Sequence, residues 1–212
     1  MTELSHRHRF EPATEAGRVP LLLLHGTGGD ETDLLPLGAL LAPGAALLSP
    51  RGEVLENGMP RFFRRLAEGV FDEADVRLRA DRLAAFVGSA REAYGLAAPM
   101  AVGFSNGANI AAALLLRHPG VLAGAVLIRA MVPLAEPGAA GFAGTPVLLL
   151  SGASDPIVPA ENAERLTALL QAAGAAVEHR VLPAGHGLGQ MDIALARDFL
   201  AREGRAPALA TA

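Results

Sequence analysis

No cysteine, no tryptophan and a single tyrosine occur among the 212 residues. Without cysteine, disulfides, thiolate zinc sites, iron–sulfur clusters and a cysteine nucleophile are all excluded. Aromatic residues make up only 4% of the chain, so stacking platforms for bases are scarce. Lysine is also absent: the basic residues are all arginine, they are dispersed, and the formal net charge is −4. Phosphate backbones are gripped by clustered basic side chains, so nucleic acid is not an expected partner. Charge of either sign is sparse at 19%, against 51% hydrophobic residues, a balance that buries apolar surface on both faces of a sheet and does not suit a disordered chain. The length fits one domain over 1–212, with the small, Pro-containing tail at 204–212 expected to fray.

Residues 1–17 contain no apolar run of the kind a secretory signal needs, which makes a cytoplasmic location the expectation. Residues 93–116 carry no charge and by length alone suit a membrane span. Pro99, Gly103, Ser105, Asn106, Gly107 and Asn109 interrupt the stretch, however, so it reads as a buried strand, a sharp turn and a buried helix, with no membrane insertion.

Short apolar runs recur at 19–24, 45–48, 100–104, 125–128, 147–150 and 177–182. They are nearly continuous in Leu, Val and Ile, the pattern of strands covered on both faces. Between them lie helical stripes, the clearest being Leu83, Phe86, Val87, Ala90 and Tyr94; others are Leu166, Leu169, Leu170 and Ala173, then Ile193, Ala196, Phe199 and Leu200. The alternation predicts an α/β fold with a mostly parallel, doubly wound sheet and helices on both faces. Ligands of such sheets bind beyond the C-terminal strand ends.

Three loops at that edge carry chemistry. The run 100–104 leads into Gly103-Phe104-Ser105-Asn106-Gly107 and then an Ala- and Leu-rich helix. This is a Gly-x-Ser-x-Gly between strand and helix, where the flanking glycines let the chain pass closely around an exposed hydroxyl. A serine hydroxyl is a poor nucleophile near neutral pH and needs a base, which in turn needs an orienting carboxylate. The run 147–150 ends in a loop holding Asp155, and 177–182 ends in one where Gly185 and Gly187 flank His186. Ser105 is the candidate nucleophile, His186 the base and Asp155 the acid, in the chain order of α/β-hydrolases. His118, His179, Asp192 and Asp198 are weaker rivals: the two histidines read as structural or exposed, the two aspartates as the charged outer face of the last helix. His6 and His8 share a strand face, but with no third ligand nearby no metal is expected.

A negative oxygen develops during attack on a carbonyl, and fixed backbone N–H groups stabilise it. One donor should be Asn106, directly after the nucleophile and at a helix start. The second should come from the turn His25-Gly26-Thr27-Gly28-Gly29-Asp30, with the Thr27 N–H the best placed; His25 itself is not expected to be catalytic. That turn lacks the Gly-x-Gly-x-x-Gly spacing and any P-loop lysine, so it does not read as a phosphate cradle.

Together, His25-Gly26-Thr27-Gly28-Gly29, the serine pentapeptide, Gly152-Ala153-Ser154-Asp155-Pro156 and Gly185-His186-Gly187 resemble the small, lidless carboxylesterases of the α/β-hydrolase superfamily over about residues 19–200. The resemblance is to the phospholipase/carboxylesterase branch, which includes acyl-protein thioesterases and bacterial hydrolases linked to aromatic or quinone metabolism. Ser105-Asn106 stands where the thioesterases carry Ser-Gln, and the segments 49–52 and 58–63 look more like the bacterial, quinone-associated subgroup. The implied activity is hydrolysis of a small carboxylic ester through an acyl-enzyme, with no cofactor. A thioesterase or acyltransferase using the same triad, a noncatalytic binder on this scaffold, and a homodimer are left open.

Substrate contacts are harder to read. Met59, Phe62, Phe63 and Phe71 lie in a loop after the second run and either line an acyl pocket or pack in the core. Arg51 and Arg129 close apolar runs, so each either meets a substrate carboxylate or forms a salt bridge to Glu53, Asp72 or a neighbour.

Overall fold

The computed structural model describes residues 4–136, 141 and 144–204. In chain order the elements are β1 (His8–Glu11), β2 (Leu21–Leu24), α1 (Leu35–Leu41), β3 (Leu47–Pro50), β4 (Val54–Glu56), β5 (Met59–Arg61), β6 (Arg65–Ala67), β7 (Val70–Phe71), α2 (Glu73–Tyr94), β8 (Met100–Phe104), α3 (Asn106–Arg117), β9 (Gly124–Ile128), β10 (Pro146–Gly152), α4 (Ala160–Ala172), β11 (Ala176–Leu182) and α5 (Gln190–Glu203). Seven strands form one sheet in the order β1-β3-β2-β8-β9-β10-β11. Only the edge strand β1 is antiparallel, pairing with β3.

The runs that become β2, β3, β8, β9 and β10 form the sheet because their side chains have a buried face on each side to occupy, whereas the run at 177–182, which carries Glu178, His179 and Arg180, becomes the edge strand β11 and is mostly half-buried or exposed. In β2, Leu22 and Leu24 enter a cluster with α2, α3 and α4, whereas Leu21 and Leu23 enter a second cluster with α1 and α5. Ala101, Leu127 and Leu149 continue the first cluster; Val102, Val126 and Leu148 continue the second. Helices thus cover both faces of the mostly parallel sheet, as the alternation of runs and stripes predicts.

Four features depart from the sequence reading. β1 was missed because its residues alternate half-buried and exposed, as on an edge, and lack an apolar run. The seven-residue α1 contains Pro36 and Gly38, too short and interrupted for a helical stripe. Helix α2 begins ten residues before its apolar stripe, at Glu73, capped by the Asp72 carboxylate accepting the Asp75 N–H at 3.2 Å. Finally, the stretch between β3 and α2, read as a loop, is two hairpins, β4–β5 and β6–β7. The proposed fraying of the C-terminal tail falls at 205–212, outside the described residues, apart from Gly204, which closes α5.

Candidate active site

Ser105 sits between β8 and α3 with φ +52°, a left-handed conformation that non-glycine residues rarely adopt outside constrained sites. The turn is held by close backbone passage on both sides. A Cβ on Gly107 would lie 1.9 Å from the Leu24 carbonyl oxygen, and one on Gly103 would lie 2.6 Å from that of Gly107. The Ser105 N–H donates to the Ile128 carbonyl at 2.8 Å, tying the turn to the end of β9.

The two partner loops arrive from β10 and β11. His186 Nε2 accepts from Ser105 Oγ at 3.0 Å, and His186 Nδ1 donates to Asp155 Oδ2 at 2.9 Å. The Asp155 side chain is fully buried, and its other oxygen accepts the N–H groups of Ile157 and Val158 at 2.8 and 3.1 Å. That carboxylate is therefore fixed before any imidazole meets it. The loops also bind one another: the Ala153 N–H donates to Leu182 and the Ser154 N–H to Ala184, at 2.7 and 3.0 Å.

Asn106 opens α3, so its N–H has no acceptor within the helix and points outward with the positive end of the helix dipole. Thr27 borders the same pocket. Its hydroxyl accepts from Arg61 Nη1 at 2.9 Å, and the next residue's N–H donates to the Pro60 carbonyl at 3.0 Å. His25 props this turn from beneath: Nδ1 donates to the Gly26 carbonyl at 2.7 Å and Nε2 accepts the Gly52 N–H at 2.9 Å. Accepting at Nε2 requires the neutral ring, and burial pushes its pKa below the ordinary histidine value, in the same direction.

A pocket of about 240 Å³ opens beside Ser105. Its lining combines apolar side chains, from Phe71, Phe104, Met131, Ile157 and Val158, with charged ones from Arg61, Arg65 and Glu68. Arg65 pairs with Glu56 at 2.9 Å and Arg61 with the same carboxylate at 3.2 Å.

Several expected substrate contacts are not at this pocket. Phe62 and Phe63 are buried in the core, Phe63 against Phe71 and Phe62 against His25, because the hairpins fold them inward. Met59 lies exposed on β5 near Gly28, outside the pocket lining. Of the four, only Phe71 reaches it. Arg51 turns away to pair with Glu31 and, at 3.1 Å, with Asp30. Arg129 does border the pocket, but its side chain is fully buried and chelated by Asp192 at 2.8 and 2.9 Å, leaving it no role in meeting a substrate carboxylate. Asp192 is accordingly not an outer-face charge: it is 1% exposed.

The rivals are placed by other partners. His118 meets Asp81 at 2.7 Å, His179 meets Ser151 Oγ at 2.9 Å, and His8 meets the Tyr94 hydroxyl at 2.7 Å. Among the described residues, no group of three or more His, Asp or Glu is placed to hold a metal ion. Met131, Ile157, Val158 and Asn109 were missed as pocket residues. The position of Met131 just beyond β9, and of Ile157 and Val158 just beyond Asp155, was the available signal, since ligands of such sheets lie past the C-terminal strand ends.

A family model described as phospholipase/carboxylesterase matches residues 11–203. The chain is 45% identical over 195 residues to the putative hydrolase MhqD of Bacillus subtilis (strain 168), covering 91% of this chain and 96% of that protein. A carboxylesterase of Bacillus cereus superposes with a TM-score of 0.91 at 43% identity, covering 94% of this chain and 95% of the other. One from Mesorhizobium loti does so with a TM-score of 0.89 at 35% identity, covering 95% and 97%.

Proposed function

The chain belongs to the phospholipase/carboxylesterase family, an ester-hydrolysing group of the α/β-hydrolase fold, and from that premise we propose that it cleaves small carboxylic esters with Ser105, His186 and Asp155 as its triad. The observation that carries this reading is the unbroken line from Ser105 Oγ through His186 to Asp155, at 3.0 and 2.9 Å.

Ser105 Oγ attacks the ester carbonyl carbon while its proton passes to His186 Nε2. Asp155 holds the ring by Nδ1–H and stabilises the imidazolium that forms. The carbonyl oxygen, now negative, takes N–H bonds from Asn106 and Thr27, donors that commonly contribute about 2.7–4 kcal/mol each. As the tetrahedral intermediate collapses, His186 returns the proton to the departing alcohol and an acyl-Ser105 remains. Water, deprotonated by His186, then releases the acid and restores the serine. This chemistry calls for no cofactor. The apolar lining from Phe71, Met131, Ile157 and Val158 supports a short acyl or aryl group as the moiety held beside Ser105. No described helix is long and apolar enough to cross a membrane. The proposed substrate is a water-dissolved small ester, and the proposed location is the cytoplasm.

A fluorophosphonate probe is expected to label Ser105, and Ser105→Ala to lose both the label and turnover of aryl esters. Retained turnover in the folded variant overturns the assignment.

A further inference from the structure

We infer that Arg129 is a positioning residue for His186, clamping the loop on both sides of the imidazole; the inference rests on the triad proposed above. Its guanidinium has five N–H groups, and five acceptors surround it. Nε donates to the Gly185 carbonyl at 2.8 Å and Nη2 to that of Gly187 at 3.3 Å, so the carbonyls of the two residues flanking His186 are held by one rigid fork. Nη1 donates to the Leu150 carbonyl at 3.2 Å, and the two remaining bonds go to the Asp192 carboxylate at 2.8 and 2.9 Å. Asp192 is itself fixed, accepting the Gly189 N–H at 2.8 Å where α5 begins.

The backbone of the same residue is part of the arrangement. Arg129 has φ +58°, left-handed like Ser105, and its N–H donates to Leu150 at 2.8 Å. The residue before it, Ile128, accepts the Ser105 N–H at 2.8 Å. Two consecutive residues at the end of β9 thus hold both ends of the Ser105–His186 contact: Ile128 the serine turn, Arg129 the histidine loop. Gly185 and Gly187 bring no side chain to pack the loop in place, so their carbonyls serve as handles.

A stabilising role alone does not account for the pair. A buried ion pair is often replaced by apolar residues with no loss of stability, because desolvation offsets the attraction between the charges. An apolar pair, however, cannot donate to two carbonyls at once, and lysine offers a point charge in place of a planar fork.

The test compares three variants of the full chain on one aryl ester. Arg129→Met/Asp192→Asn removes both charges together, so no lone buried carboxylate is left, and the amide oxygen can still accept the Gly189 N–H. Arg129→Lys keeps the charge but not the fork, and carries the comparison if the double variant does not fold. Both are expected to lower kcat at least tenfold with KM within twofold, and to broaden or shift the downfield Nδ1–H proton resonance of His186. A folded variant with kcat within twofold and that resonance unmoved overturns the clamp. Ser105→Ala, made alongside, separates the two readings: turnover surviving there overturns the triad instead.

Discussion

The side-chain oxygen of Asn106 accepts the backbone N–H of Phe62 at 2.7 Å, joining the residue after Ser105 to the end of the first hairpin. Both residues are buried, at 2% and 3% exposure, so water cannot replace the bond. Asn106→Ala leaves the Phe62 N–H unpaired and is expected to cost about 1–3 kcal/mol. The backbone N–H at position 106 survives the change, so the folded fraction should retain its oxyanion donor and most of its kcat. Urea denaturation measures the first effect and ester turnover the second; an unchanged urea midpoint would show that the hairpin is anchored elsewhere.

Asp155 has two separable duties, one per oxygen. Oδ2 orients His186, while Oδ1 accepts the N–H groups of Ile157 and Val158. Asp155→Asn keeps an acceptor for the loop but presents an amide to the imidazole, and should reduce kcat about 10⁴-fold, as in other such triads, with little change in Tm. Asp155→Ala loses both and should lower Tm as well. Calorimetry beside steady-state kinetics distinguishes the two; equal Tm values for the variants would deny Oδ1 its structural part.

Burial pushes the pKa of His6, His25 and His179 below the ordinary histidine value, so each resists protonation in the folded state. The unfolded chain binds those protons from about pH 6.5 downward. Below that pH the unfolded state therefore holds more protons, and the stability present above it is lost as the pH falls. Carboxylates held low act in a lower window. Asp30, bonded by the Thr32 hydroxyl and N–H, and Asp72, bonded by the Asp75 N–H and by Arg64, keep their contributions until the pH drops below about 4. Tm should accordingly be flat above about pH 7 and decline as the pH falls below about 6.5. His25→Gln, which retains an acceptor for the Gly52 N–H, should flatten that decline; an identical slope would assign it to the other two rings.

Gly107 and Gly88 should respond oppositely to alanine. At Gly107 the added methyl meets the Leu24 carbonyl oxygen at 1.9 Å, so β2 and α3 must separate at the nucleophile turn. Gly107→Ala is expected to abolish labelling of Ser105 and to lower Tm. Gly88 lies within α2 with nothing within 4 Å of the new methyl, so Gly88→Ala should stabilise by about 0.5–1 kcal/mol through lower chain entropy and better helix propensity. Thermal melts of both variants check the pair, and a Gly107→Ala protein with normal labelling would sink the close-passage argument.

Much of the sheet was legible because its strands are buried on both faces and need no partner to betray them: Leu21 to Leu24 is apolar whichever face is counted. Elements with mixed polarity were not. β1 alternates, and α2 starts with Glu73, Ala74 and Asp75, whose placement depends on the Asp72 cap more than on an apolar stripe. Asp192 was the sharpest misreading. A helical aspartate is ordinarily solvated, and it is Arg129, 63 residues earlier in the chain, that pairs with it in the interior.

What the amino-acid sequence determined by itself was local: apolar runs that demand burial, and Gly-bounded turns that place Ser105, Asp155 and His186 at the ends of strands, since steric freedom at a turn and hydrophobic periodicity are written in neighbouring residues. Tertiary structure alone decided which side chains meet. It folded Phe62 and Phe63 into the core, supplied Met131, Ile157 and Val158 as pocket lining, and enclosed Arg129 among five acceptors drawn from the β10 end, the His186 loop and α5. Burial of a charge depends on partners that are remote along the chain, and no local pattern encodes their distance.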